Sequence, residues 1–235
     1  MNSSRFPRLA LIATAAFAVC GSPHTVASET TISTSEIALP DIEGYSLLSH
    51  SSPTKHPVAS MALSQCNPAL CAVYFDTAEA AERSSESVES WPSFFMLEVL
   101  DDAFVIEPQE FKIVVQHLKE NIEGLRSDML QSVSAIAFPS ISAPPGDKLE
   151  YLDSSLEFED QYLEGDSYLI IPGYARNNYQ RNDGTVVSYG FTATFGFLHA
   201  KDKMLLLSII APEKSLPWVS QTSQKIAEEL KQSNL

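Results

Sequence analysis

Basic residues are scarce in this 235-residue chain: 15 Lys and Arg stand against 30 Asp and Glu, a formal net charge of −15. Nucleic-acid binding relies on clustered cations that displace counterions from phosphates, so the deficit argues against DNA, RNA and an anionic membrane surface as partners. A protein or small ligand, cationic by preference, suits a field of this sign, although solubility alone also accounts for such a charge. Cysteines number three and histidines five, the latter scattered at His24, His50, His56, His117 and His199. No G-x-S-x-G, H-E-x-x-H, P-loop or dinucleotide fingerprint occurs, and no EF-hand loop organises the acids. The sequence therefore assigns no catalytic residue, no metal ligand and no cofactor. Long apolar runs are missing too. The run Leu9 to Val19 falls short of the roughly 20 residues that span a bilayer.

That short run is the core of the most informative segment, residues 1–27. Arg5 and Arg8 precede it and small residues follow, the pattern of a secretory signal peptide. Three processing routes exist. Cleavage after Ala27 uses Thr25-Val26-Ala27 and removes Cys20, cleavage after Ala18 retains it, and Phe17-Ala18-Val19-Cys20 offers a lipobox-like route to a lipoprotein anchored at Cys20. Export favours paired cysteines, and only removal of Cys20 leaves a pair, Cys66 and Cys71. Cleavage after Ala27 is the expectation. It removes two bases and no acids, so the mature chain carries 13 bases against 30 acids and a formal charge of −17. A bacterial periplasmic or secreted location is expected.

Residues 28–41 open with a Ser/Thr-rich run and are expected to be a flexible leader, followed by a single domain over 42–235. Val58 to Asp76 reads as strand, turn, strand, with Asn67-Pro68 at the turn. Cys66 and Cys71 flank that turn within disulfide reach. A redox dithiol is disfavoured, since its familiar motif spaces the cysteines by two residues rather than four. Asp76-Thr77 caps a short helix, and Trp91 to Leu100 is a strand. Pro108 to Gln131 shows the clearest helical periodicity, with Phe111, Val114, Val115, Leu118, Ile122, Leu125 and Met129 on one face. His117 lies off that stripe and is expected in solvent. Ser134 to Ile141 is expected as a strand.

Seven acids between Glu150 and Asp166 interleave with Tyr151, Leu156, Phe158 and Tyr162, which fits a strand with one wet face. Tyr168 to Gln180, Thr185 to His199 and Met204 to Ala211 then form a meander, with turns at Asn182-Asp183-Gly184 and Lys201-Asp202-Lys203. A last helix opens at Ser215, with Trp218, Ile226, Ala227 and Leu230 on its buried side. The expected fold class is α+β, an antiparallel β-sheet (hairpin plus C-terminal meander) flanked by a long central helix and a C-terminal helix. This order of elements, including the run GFLHAKDKMLLLSIIAPEKSLPW, resembles the Mog1/PsbP-like domains over about Ile42 to Gln232. The resemblance implies a noncatalytic role and assigns no site residues.

One cluster stands out in so acidic a chain: Tyr174, Arg176, Asn177, Asn178, Tyr179 and Arg181 concentrate donors and aromatics at a hairpin end. Such a composition suits contact with a partner or an anionic ligand; an ordinary polar hairpin tip is the plainer alternative. The expected function is an exported noncatalytic binding or accessory protein. The rival is a serine hydrolase, for which Ser167 and His199 would have to meet. Mass spectrometry of the exported chain should show an N-terminus at Ser28 and two hydrogens fewer than the reduced mass, for a Cys66–Cys71 bridge. A lipid-modified Cys20 would overturn the soluble reading.

Overall fold

The computed structural model describes residues 31–32, 36–48, 62–64, 67, 69–77, 93–135, 149–211 and 214–234. The signal segment, His50, His56 and Cys66 lie outside them. Ten strands and three helices are described here. β1 (Thr31–Ile32) and β2 (Ile37–Ala38) pair with each other. β3 (Tyr45–Leu48), β4 (Cys71–Asp76), β5 (Phe94–Val99), β6 (Glu150–Phe158), β7 (Leu163–Gly165), β8 (Tyr168–Gln180), β9 (Val186–Ala200) and β10 (Lys203–Ala211) form one eight-stranded sheet. Its order is β3-β4-β5-β10-β9-β8-β6, with β7 beside β8, and every pairing is antiparallel.

The central strands are apolar on both faces, because MLLLSIIA and FFMLEV place a large side chain at almost every position. Met204, Leu206 and Ile210 join Phe94 and Met96 on one face, where Phe111, Val114, Val115, Leu125 and Met129 of the helices cover them. Leu205, Leu207 and Ile209 join Phe95 and Leu97 on the other, beneath Val219, Ile226, Ala227 and Leu230. The second face also takes Ile32, Ile37 and Ile42. Part of the segment expected as a flexible leader therefore forms β1 and β2, held down by two buried isoleucines. Tyr74 fastens its end: the phenol, stacked on Phe95 at 4.4 Å, donates to the Pro40 carbonyl at 2.9 Å.

Three expectations change. The periodic stretch from Pro108 is two helices, α1 (Pro108–Glu120) and α2 (Ile122–Ala135), broken at Asn121. The Asn121 side chain donates to the His117 carbonyl at 2.8 Å, and this local bond competes with helical continuation. Ser134 and Ala135 close α2 instead of opening a strand. Residues 62–64 are helical, so β4 pairs with β3 rather than with a strand just before its own turn. The turn at Asn67 does form, as Leu70 and Cys71 N–H groups donate to the Asn67 carbonyl.

The C-terminal half follows its turn chemistry. Gly184 has φ +84° and closes the β8–β9 hairpin, while Lys201 and Asp202 at φ +44° and +58° close β9–β10. α3 (Leu216–Ser233) starts at Ser215, whose hydroxyl accepts from the Trp218 N–H at 3.4 Å. Trp218 is half-buried; Val219 and Ser223 complete the inward face. The loop before α1 is tied to the second turn, since the Ile106 N–H donates to Asp202 O and Lys203 Nζ donates to the carbonyls of Asp102 and Phe104. Among the described residues no helix is long and apolar enough to cross a membrane.

Glu98 is the one charged residue of β5 and is half-buried. It stands opposite Cys71 and Leu206 in the register, and burial raises its carboxyl to about 7 from an ordinary 4.5. The native chain thus holds a proton that the unfolded chain releases, and stability falls as pH rises between those values. Glu98→Gln should flatten this slope and stabilise the protein at pH 8 by on the order of 2 kcal/mol. Urea unfolding at pH 5 and pH 8 measures it; identical pH slopes in the two proteins would refute the assignment.

Candidate functional site

A strand sends alternate side chains to opposite faces, and β8 applies this rule to the polar cluster. Tyr174, Arg176 and Asn178 point to the α3 side of the sheet, Asn177 and Tyr179 to the α1–α2 side, and Arg181 enters the hairpin turn. The expected cluster of six is therefore two separate groups and a turn residue. β8 also runs farther than a hairpin tip, being 13 residues long and paired on both edges.

The first group is accessible. Tyr174 is 39% exposed and lies across Gly190 of β9, in space that any Cβ there would occupy. The Arg176 guanidinium sits 6.0 Å from the Tyr174 ring centroid. Asn178 is held between its cross-strand neighbours: its Nδ2 donates to Asp153 at 2.5 Å, and its Oδ1 accepts from Ser188 Oγ at 2.6 Å. Val186 of β9, 57% exposed, adds an apolar edge. An aromatic ring, a guanidinium beside it, a fixed amide and two carboxylates, Asp153 and Glu157, thus share one open face of β6, β8 and β9.

The second group holds this face in place from behind. Asn177 and Tyr179 are fully buried. Ser154 Oγ donates to Asn177 Oδ1 at 2.6 Å and meets Tyr151 Oη at 2.8 Å. The Tyr179 ring contacts Tyr151 and Tyr189 edge-on, both at 5.8 Å. Sequence reasoning missed Asp153, Val186, Ser188 and Gly190. The β9 members were within reach, because the Asn182-Asp183-Gly184 turn sets the register that pairs Asn178 with Ser188. Asp153 of β6 was not, since a bulge between Tyr151 and Asp153 shifts that register.

The histidine–serine pair takes a different form from a catalytic couple. His199 N–H donates to the Ser167 carbonyl at 2.9 Å, so the backbones are adjacent. The imidazole turns away: Nε2 lies 2.8 Å from Ile106 O and the ring packs on Phe111 at 5.4 Å. Among the described residues no hydrogen bond joins Ser167 Oγ to this ring. Asp166, next to Ser167, pairs with Lys112 at 3.1 Å, and that contact lowers its carboxyl below the usual range. His117 is exposed near Glu120. Among the described residues no group of three or more His, Cys, Asp or Glu is placed to hold a metal.

No family model and no curated protein matches the chain. Solved structures do. The Ran-binding protein Mog1p of Saccharomyces cerevisiae is similar over 71% of this chain and 75% of its own, at 11% identity and a TM-score of 0.28. The cyanobacterial PsbP of Synechocystis sp. PCC 6803 is similar over 89% of this chain and 96% of its own, at 12% identity and a TM-score of 0.28. The likeness is one of architecture.

The edge that carries Asp153 and Glu157 depends on two unusual residues of β8. Pro172 has no N–H to give, and it occupies the gap where β7 pairing ends and β6 pairing begins, its carbonyl accepting from Glu159 N–H at 2.9 Å. Gly173 lets β6 approach, since a Cβ there would fall 2.7 Å from the Glu157 carbonyl oxygen. That atom belongs to the backbone and cannot swing aside. Gly173→Ala should cost about 1–3 kcal/mol in denaturant unfolding and raise amide exchange along β6. An unchanged midpoint would show that β6 yields at no cost.

Proposed function

We propose that this chain is an exported, noncatalytic binding or accessory protein and that it meets its partner through Tyr174, Arg176 and Asn178. The observation that carries this reading is the open sheet face beyond α3, where Tyr174, Arg176, Val186 and Ser188 stay exposed while the middle of β8 and of β9 is buried. Aromatic and Arg side chains supply a large share of binding energy at protein interfaces, and here the amide next along the strand, Asn178, is already fixed by two hydrogen bonds. Such preorganisation lowers the entropy lost on association. The acidic chain suits a partner with basic groups around the contact.

Export rests on residues 1–27, and the Cys66–Cys71 bridge accompanies it. Cys71 is buried at the start of β4, where its N–H and that of Leu70 donate to the Asn67 carbonyl. A periplasmic or secreted location follows from the same segment. Arg176→Glu should weaken by about tenfold or more the binding of the protein that co-purifies with the wild-type mature chain, with thermal stability unchanged. Capture without any co-purifying protein, or equal binding by the variant, would overturn the reading.

A further inference from the structure

Gly190 stands directly opposite Arg176 in the β8–β9 register, yet the space above it is filled by Tyr174, whose own partner across the pair is Thr192. The phenol therefore leans diagonally across β9, a reach that aromatic side chains make between strand neighbours two residues apart. It does so only because Gly190 has no Cβ: one built there would fall onto the Tyr174 hydroxyl oxygen and 2.6 Å from Cζ. Neither flanking position of β9 offers the same bed. Thr192 fills its place with a buried side chain whose hydroxyl donates to Ala211 O at 2.6 Å, and Ser188 Oγ is bonded to Asn178 at 2.6 Å. With the ring laid toward Gly190, the Arg176 guanidinium sits 6.0 Å from its centroid, at the reach of a cation–π contact. One missing methyl group thus sets the position of both exposed side chains.

We propose that Gly190 is a positioning residue of the partner contact: by leaving its Cβ space to Tyr174, it holds the ring along the sheet and Arg176 beside it. This rests on the reading that Tyr174 and Arg176 meet a partner. Glycine inside a strand weakens it, and no positive φ requires one at this position. Close packing by an aromatic ring offsets that cost. The atoms that a side chain at 190 would displace belong to the far end of a rotatable phenol, unlike the Glu157 carbonyl oxygen above Gly173. A larger residue there would leave the sheet intact and lift the phenol off it, so the loss falls on recognition and spares the fold. Once lifted, ring and guanidinium regain rotamer freedom that binding must then remove.

NMR on the mature chain, with partner binding by single and double variants, tests the role. In the wild type, nuclear Overhauser contacts should join the Tyr174 ring protons to the Gly190 Hα atoms. In Gly190→Ala the ring should lose its contacts to residue 190, with the thermal midpoint kept or raised. The same variant should weaken binding of the co-purifying protein by about tenfold. Tyr174→Ala should weaken it as well, and adding Gly190→Ala to Tyr174→Ala should change nothing further, because residues that act through one another are not additive. A glycine with a purely structural role would give additive losses and a lowered midpoint. Absent ring contacts in the wild type, a lowered midpoint, full binding by Gly190→Ala, or additive losses would each overturn the inference. Binding that Arg176→Glu weakens and Gly190→Ala leaves alone sinks this inference and keeps the partner reading, whereas the absence of any co-purifying protein sinks both.

Discussion

Two-sided burial of the central strands is the constraint from which the rest of this structure follows. A strand such as Lys203–Ala211, apolar at nearly every position, cannot leave either face in water, so cover is needed above and below. α1 and α2 cover one face; α3, together with β1 and β2, covers the other. That need explains why the N-terminal segment is drawn in. Ile32, Ile37 and Ile42 complete a face that α3 only partly covers, and the Tyr74 hydrogen bond to Pro40 secures them. Antiparallel sheets often keep one face wet; among the described residues that holds along β6 and toward the far ends of β8 and β9, where the candidate surface lies.

The C-terminal half was legible in the sequence because its signals are local. Asn182-Asp183-Gly184 and Lys201-Asp202 are turns whose positive φ values their residues tolerate, and the apolar runs between them have strand length. The first half was less legible because its pairings are distant. β4 lies between β3 and β5, and the segments joining these strands are rich in Ser and Pro. Nothing in the local pattern of Val58 to Ser64 distinguishes a strand from the helical turn at 62–64. The break at Asn121 was hidden for a different reason: Leu118, Ile122 and Leu125 keep their spacing across it, so hydrophobic periodicity runs on while a side-chain hydrogen bond ends the helix.

Charge shows the same split between composition and placement. The seven acids from Glu150 to Asp166 look like one feature in the sequence, yet the structure gives them several tasks. Asp153 orders Asn178, while Glu164 and Asp166 pair with Lys119 and Lys112 across to α1. Those two exposed ion pairs add little stability individually. Glu150, Asp153 and Glu157 also lie on β6, the outermost strand at that side of the sheet. Acids on an edge strand discourage unwanted strand addition. The bulge between Tyr151 and Asp153 works in the same direction by bending the edge.

This edge bears on what kind of contact the neighbouring face can make. A partner that added a strand to β6 would have to place its backbone beside the row of carboxylates and follow the bulge, which breaks the regular register. A partner that docked on the face would instead meet side chains: Tyr174 lying over Gly190, Arg176 beside its ring, and Asn178 already hydrogen-bonded on both sides. Recognition through the face therefore requires less rearrangement than recognition through the edge. The buried half of the polar cluster contributes to the same end, because Asn177 and Tyr179 anchor β8 from behind against Ser154, Tyr151 and Tyr189. The six residues that sequence grouped as one surface thus divide by strand period into those that can touch a partner, those that hold them rigid, and Arg181, which belongs to the hairpin turn.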